Sequence, residues 1–264
     1  MKSIELFAGI GGIALAAEWA GIETVAFCER DPYCQKVLNK NFPGVPIYDD
    51  VHALNRQLLE EKGVIEPGGT IDILSGGYPC QGESVIGKRK GKRDDRWLWP
   101  EMFRLTKELH PDWVVGENVA GHITMGLDTV LSDLESEDYQ TRVFVLPAVS
   151  VGAPHQRYRT FVVANSGRKS ESQAYQSFST FGSGRNTRGN LARGIGPSVS
   201  QSYWEIHQSP VVGVDDGFPN RVDRSIALGN AVVPQQIFPI FYGINYISKK
   251  IEKLGELHEK SKVE

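Results

Sequence analysis

A cysteine in a glycine- and proline-rich turn is the residue best suited to covalent chemistry in this chain. Cys80 stands in the segment GGYPCQ (residues 76–81), directly after the apolar run at residues 71–75. Such a run predicts a buried parallel strand that ends in a turn. Ligands of open α/β sheets bind at the carboxyl ends of the strands, which makes Cys80 a candidate nucleophile. The alternative is an ordinary buried thiol, because free cysteines are usually buried.

A carboxylate and two arginines are predicted near the ends of other strands. Residues 112–116 have the pattern of a buried strand, and Glu117 follows them. Arg157 and Arg159 lie in a segment predicted to be extended, where side-chain alternation would place both on one side. Two arginines in that arrangement suit a planar acceptor or a phosphate. The alternative is an exposed pair at the edge of a strand.

The first 20 residues predict a strand, a glycine turn and a helix, which would form one side of a site. Residues 3–7 predict the strand, residues 8–12 (AGIGG) the turn and residues 13–20 the helix. This order lets backbone amides approach a polar cofactor, although a plain tight turn is an open alternative. A second strand at residues 24–28 ends at Glu29. An acidic residue about 20 residues past a glycine loop suits ribose hydroxyls, and a solvated carboxylate is the alternative.

The following elements alternate in the same way. Asp31 is the predicted N-cap of a helix that ends near Lys40, and a short strand covers residues 45–48. Asp50 comes after that strand, where its carboxylate could accept from an adenine amino group or cap a helix at residues 52–62. Further helices are predicted at residues 97–110, at residues 129–136 and from about Pro234, and further strands at residues 140–145 and within residues 156–164. The periodicity therefore predicts an α/β fold.

Composition limits the classes of function. The 264 residues carry a net charge of −3, so a nucleic acid would have to be held by local patches. The basic run at residues 88–96 (KRKGKRDDR) is such a patch, and it is predicted to be a loop beside Cys80. Three cysteines without a CxxC pair favour neither a disulfide framework nor a metal site, and a reducing cytoplasm is the simplest location. No apolar run is long enough to span a membrane.

The composition changes at Asn165. Residues 165–204 are rich in Gly, Ser, Asn and Gln, with five basic residues and one acidic residue. This pattern fits a flexible insert or a small module that becomes ordered on nucleic acid. We therefore predict a catalytic and cofactor-binding domain at residues 1–164, an insert at residues 165–221, and a segment at residues 222–264 that returns to the first domain.

Five short motifs, taken together and in this order, resemble those of the DNA (cytosine-5) methyltransferase family. They are LFAGIGG (residues 6–12), GYPCQ (residues 77–81), ENV (residues 117–119), QRYR (residues 156–159) and LGNAV (residues 228–232). Each motif is weak or moderate alone, but five in order are specific. The resemblance implies a Rossmann-like fold for S-adenosylmethionine-dependent methyl transfer, with a small irregular insert that recognises DNA.

The resemblance also implies roles for the candidate catalytic residues. Cys80 would add to C6 of a cytosine that has been flipped out of double-stranded DNA, which activates C5 toward the methyl group. Glu117 would bond to N3 and the exocyclic amine. Arg159, supported by Arg157, would bind O2 and the nearby backbone. The loop at residues 84–96 would close behind the base and exclude water.

A pocket for S-adenosylmethionine is implied by the same motifs. The expected cofactor-binding residues are Phe7, Gly9 and Gly11 on the methionine side, Glu29 at the ribose, Asp50 and Val51 at the adenine, and Pro79, Asn230 and Val232 in the remaining wall. No metal is expected.

Two departures from the family pattern stand out. Glu83 lies three residues after Cys80, where a carboxylate disfavours a thiolate unless a loop cation pairs with it. Residues 165–221 are short for the recognition domain of the family. An RNA cytosine-5 methyltransferase and a non-catalytic DNA-binding relative of the same fold are the alternatives. We also expect a monomer in a bacterial or phage context, whereas the recognition sequence is not predictable from these residues.

Overall fold

The structure is a computed structural model that describes residues 1–79, 97–124, 126–168, 227 and 229–263, with side chains as far as Leu254. Cys80, Glu83 and the basic run at residues 88–96 lie outside the described residues. So does most of the predicted insert. The proposed domain boundaries therefore remain predictions.

A mixed sheet forms the centre of the described structure. Its seven strands have the order β3-β2-β1-β4-β5-β7-β6. They are β1 Lys2–Leu6, β2 Glu23–Cys28, β3 Ile47–Tyr48, β4 Ile73–Gly76, β5 Trp113–Val119, β6 Gln140–Pro147 and β7 Tyr158–Asn165. Strands β1 to β5 are parallel, whereas β7 is antiparallel to both β5 and β6. The predicted α/β fold class is confirmed, and the ends of the parallel strands meet at one edge.

Six α-helices connect or flank the strands in the described part of the chain. They are α1 Gly12–Trp19, α2 Pro32–Asn41, α3 Arg56–Glu61, α4 Trp99–Leu109, α5 Leu127–Ser136 and α6 Pro234–Val263. Asp31 caps α2 as predicted, because its carboxylate accepts from the amides of Tyr33 and Cys34. None of the helices in the described ranges is both long and apolar enough to cross a bilayer.

The helix predicted at residues 52–62 is shorter than expected, and the alternative in which Asp50 caps it is wrong. The Asp50 carboxylate accepts from the His52 amide at 2.9 Å, which makes a local turn. Helix α3 begins only at Arg56, where the Asn55 side chain accepts from the Leu58 amide at 2.9 Å. Asn55 supplies a better-placed cap three residues before that amide, so the helix begins after Asn55.

Helices cover both faces of the sheet. Leu74 and Val114 pack on one side with Trp99 and Leu105 of α4. On the other side Ile73 and Val115 pack with the apolar faces of α1 and α6. The central strands are therefore buried on both faces, which explains their nearly continuous apolar sequences.

The C-terminal helix packs against the N-terminal part of the chain. Asn245 of α6 donates to the carbonyl of Ala20 at 2.6 Å, at the end of α1. Trp113 of β5 donates through its indole nitrogen to the Ser248 hydroxyl at 3.3 Å. Pro239 lies inside α6, which continues past it. These contacts hold α6 beside α1 on one face of the sheet.

Candidate active site

The turn between β1 and α1 is a compact glycine loop. Phe7, Gly9 and Gly11 all have positive φ values, of 54°, 55° and 83°. A Cβ on Gly11 would lie 2.6 Å from the ring of Phe42, whereas nothing lies within 4 Å of a Cβ on Gly9. The loop is therefore closed against α2 at Gly11 and open at Gly9. Open space beside backbone amides fits the close approach of a polar ligand.

Glu29 lies directly beside this loop. One carboxylate oxygen accepts from the Gly9 amide at 2.6 Å, and the other accepts from the Asp31 amide at 2.7 Å. β3 adjoins β2 in the sheet, and the Glu29 amide donates to the Tyr48 carbonyl at 2.8 Å. Three of the predicted cofactor residues, Gly9, Gly11 and Glu29, thus come together at the same sheet edge.

The two residues predicted at the adenine follow β3 and differ in exposure. Asp50 is exposed, and Val51 is buried in the core. The carbonyl of Val51 accepts from Arg104 of α4 at 2.9 Å, which fixes the backbone at this point. The carboxylate of Asp50 is therefore displayed to solvent from a rigid turn.

A buried ion pair joins the ends of β5 and β7. The Glu117 carboxylate lies 2.7 Å from Nε of Arg159, and the two side chains are only 9% and 12% exposed. Burial raises the pKa of Glu117 to about 7, although the charges of Arg159 and Arg157 act to lower it. A Cβ on Gly77 would lie 2.9 Å from the other carboxylate oxygen. Glu117 therefore faces the backbone that leads into Cys80.

The prediction that Arg157 lies in an extended segment is wrong, although the charges of both Arg157 and Arg159 act on Glu117. β7 begins at Tyr158, and Arg157 has a φ of 32°, outside the extended region. Its guanidinium donates to the carbonyls of Gly229 and Ala231, not to Glu117. Alternation of side chains holds only within a strand, and the chain leaves the extended conformation at Arg157.

Tyr78, the residue before Pro79, is held by two residues at the end of β5 and just after it. Asn118 donates to the carbonyl of Tyr78 at 3.0 Å. The Tyr78 hydroxyl lies 2.9 Å from Nε2 of His122, whose pKa is lowered to about 4 by burial. Pro79 is fixed in turn, because its carbonyl accepts from the Leu98 amide at 3.2 Å. Sequence reasoning missed His122, for which the only signal is its position three residues after ENV.

The LGNAV segment reaches the glycine loop from the far end of the chain. Val232 is buried among residues of α1 and α6, and its carbonyl would lie 2.6 Å from a Cβ on Gly12. Asn230 is exposed. The structure therefore brings Val232 to the predicted cofactor pocket, with Asn230 two residues away in the chain.

Comparison with known proteins identifies the class. Residues 1–209 match the family model described as C-5 cytosine-specific DNA methylase. This match covers most of the chain, and the chain belongs to that family. The α/β fold, with the glycine loop, residues 77–79 and the Glu117–Arg159 pair at one sheet edge, agrees with the assignment.

Individual relatives refine the comparison. The chain is 34% identical over 178 residues to the type II methyltransferase M.AquIA of a Picosynechococcus strain, covering 62% of this chain and 71% of that protein. It is 34% identical over 168 residues to the type II methyltransferase M.HhaI of Haemophilus parahaemolyticus, covering 62% of this chain but only 48% of that protein. The fold resembles the crystal structure of S. pombe Dnmt2 methyltransferase, with a TM-score of 0.53 at 20% identity, over 72% of this chain and 58% of the other.

Proposed function

We propose that this protein transfers a methyl group from S-adenosylmethionine to C5 of cytosine in double-stranded DNA. The observation that carries the proposal is the buried Glu117–Arg159 pair, which faces Gly77 in the segment that leads to Cys80. A target base between this pair and the thiol would meet a nucleophile, an acid and a cation together. Membership of the cytosine-specific family supports this substrate class.

The chain's own groups are suited to activating the base. The Cys80 thiolate adds to C6, and the charge that develops moves toward N3. A protonated Glu117 donates to N3 at that point, and its pKa of about 7 makes the proton available near neutral pH. Arg159 holds Glu117 in place, and in this proposal its guanidinium also binds O2.

The remaining steps return the enzyme to its starting state. C5 becomes nucleophilic as the C6–S bond forms, and a bound S-adenosylmethionine would supply the methyl group and leave as S-adenosylhomocysteine. Solvent water takes the C5 proton, the C6–S bond breaks to restore the C5–C6 double bond and release Cys80 as the thiolate, and N3 returns its proton to Glu117. Because C6 is inaccessible in a stacked duplex, the base must be flipped out before Cys80 can add.

The residues around the glycine loop fit the proposed methyl donor. Each Glu29 oxygen accepts one backbone hydrogen bond, and a carboxylate oxygen has room for a second one from a ribose hydroxyl. The open side of Gly9 gives access to backbone amides. Phe7 and Pro79 border the same edge, and Asp50 presents an exposed acceptor for an amino group.

The decisive test is Cys80→Ala. Methyl transfer from tritiated S-adenosylmethionine to duplex DNA should fall to background, while calorimetry should still detect binding of the donor. Cys34→Ala is the matched control, because Cys34 is a buried thiol in α2 whose pKa is raised to about 12 by burial. Turnover retained by Cys80→Ala would refute the nucleophile.

The substrate class is tested in the same assay. Duplex DNA and a structured RNA are offered at equal concentration, and bisulfite sequencing of DNA from cells expressing the protein locates the modified cytosines. Incorporation into RNA alone would overturn the DNA assignment while leaving the chemistry in place. Donor binding without transfer to either substrate would favour a non-catalytic relative.

A further inference from the structure

Arg157 is bonded to the backbone of a distant segment. One terminal nitrogen of its guanidinium donates to the Gly229 carbonyl at 2.7 Å and also to the Ala231 carbonyl. Residues 231–233 have no regular secondary structure and lead directly into α6. Two charge-assisted hydrogen bonds from one side chain therefore help to hold this segment.

Gln236 adds further hydrogen bonds around the same segment. Its side chain is fully buried, and its amide nitrogen donates to the carbonyl of Leu146 at 2.8 Å and to that of Arg157 at 3.0 Å. Arg157 thus holds the chain before α6 through its side chain, while the first turn of α6 holds the backbone of Arg157. Loss of either residue leaves carbonyls without their donors, which is costly where they are buried.

The segment held in this way forms one side of the glycine loop. The carbonyl of Val232 sits close to where a Cβ on Gly12 would be, 2.6 Å away. Val232 packs with Ile13 and Ala16 of α1. A shift of residues 229–232 would therefore move the wall beside the loop, and the exposed Asn230 would move with it.

We propose that Arg157 and Gln236 are positioning residues for the methyl-donor pocket, and that Arg157 does not act on the target base. The two arginines then have different direct contacts: Arg159 pairs with Glu117, whereas Arg157 bonds to the backbone of the LGNAV segment and reaches Glu117 through its charge. The inference rests on the proposed function for the identity of the donor. The hydrogen bonds of Arg157 and Gln236, which we call the brace, do not depend on it.

The experiment compares Arg157→Ala and Gln236→Leu with two controls. Arg142→Ala removes an exposed arginine of the neighbouring strand β6, and Arg159→Ala removes the base-side arginine. The first readout is hydrogen exchange at the amides of residues 229–233 in the free protein. We expect exchange at least about tenfold faster in the two brace variants and unchanged exchange in Arg142→Ala.

The second readout is affinity for S-adenosylmethionine, measured by calorimetry without DNA. The brace variants should raise the Kd about tenfold, with little change in the KM for DNA at saturating donor. Arg159→Ala should show the opposite pattern of effects, with an unchanged donor Kd and a large loss of kcat. Arg157→Lys keeps the charge but not the length and the planar head of the guanidinium, so its Kd should lie between those of wild type and Arg157→Ala.

The outcomes separate the brace from the proposed function. Wild-type exchange and donor affinity in Arg157→Ala, together with weaker DNA binding, would overturn the inference, because Arg157 would then act on nucleic acid. Faster exchange in a protein that methylates nothing would leave the brace in place and refute the function instead. If Arg157→Ala does not fold, Gln236→Leu and Arg157→Lys decide the matter by the same two measurements.

Discussion

The pKa of Glu117 differs from that of a surface glutamate because its side chain is buried beside two arginines. Burial disfavours the carboxylate and raises the pKa, while the nearby guanidinium groups of Arg159 and Arg157 favour the carboxylate. The balance is a pKa of about 7, so a large fraction carries a proton at neutral pH. A carboxyl of this kind can donate to a ring nitrogen, which an ordinary glutamate at pH 7 cannot do.

Glu117→Gln tests whether Glu117 supplies this proton. In the wild type, the rate of a step that needs protonated Glu117 is full below pH 7 and falls as pH rises through about 7. In the glutamine variant this alkaline decline should disappear, and the maximal rate should fall by about 100-fold, because the amide donates less effectively. Single-turnover rates across neutral and alkaline pH measure both effects.

The control for this series is Glu18→Gln, an exposed position on α1. It should follow the wild-type pH profile. An alkaline decline that persists unchanged in Glu117→Gln would assign that decline to another group and contradict the proposed acid.

At the scale of elements, the important contact is between the start of α1 and the segment that precedes α6. Gly12 is the first residue of α1, and it approaches the Val232 carbonyl more closely than any residue with a Cβ could. The neighbouring α6 is fixed to α1 through Asn245. A side chain at position 12 would therefore meet backbone atoms on an element that has little freedom to move.

Gly12→Ala should separate the two elements at this contact. We expect a loss of stability of about 1–3 kcal/mol from overpacking, together with weaker binding of S-adenosylmethionine. Urea denaturation and calorimetry measure the two effects. Gly229→Ala is the matched control, because nothing lies within 4 Å of a Cβ built there. Equal stability of the two variants would show that the chain relaxes at Val232 without cost.

At the scale of the whole molecule, the net charge of −3 opposes a polyanion. Binding of DNA therefore depends on local basic segments, and residues 88–93 (KRKGKR) carry five of the 29 Lys and Arg residues. The segment follows Cys80 closely in the chain, so phosphate contacts there would hold DNA near the nucleophile. This role stays a prediction from the sequence.

Substitution of Lys88, Arg89, Lys90 and Lys92 by glutamine tests the segment. The affinity for duplex DNA should fall, and the slope of log K against log salt should become shallower by about 0.9 for each phosphate that the variant no longer neutralises. Lys249→Gln and Lys250→Gln on the exposed part of α6 are the control. An unchanged salt slope in the loop variant would show that other residues hold the DNA backbone.

The sequence by itself determined the α/β class, the Asp31 cap and the order of the five motifs. These features depend on periodicity, on capping chemistry and on residue types within a few positions of one another. It also indicated that Glu29 and Glu117 lie near strand ends, because parallel strands place their carboxyl ends at one edge. The place of Cys80 after β4 stays a prediction.

The tertiary structure alone decided what each charged side chain contacts. Arg157 bonds to carbonyls 72 and 74 residues away, and Tyr78 meets His122 across 44 residues. The backbone of Arg157, which we predicted as extended, accompanies the same kind of distant contact, whereas the start of α3, which we predicted too early, depends on the local cap at Asn55. Local patterns report the preferences of neighbours in the chain, whereas these contacts, and the pKa of Glu117, depend on which distant groups the packed elements bring together.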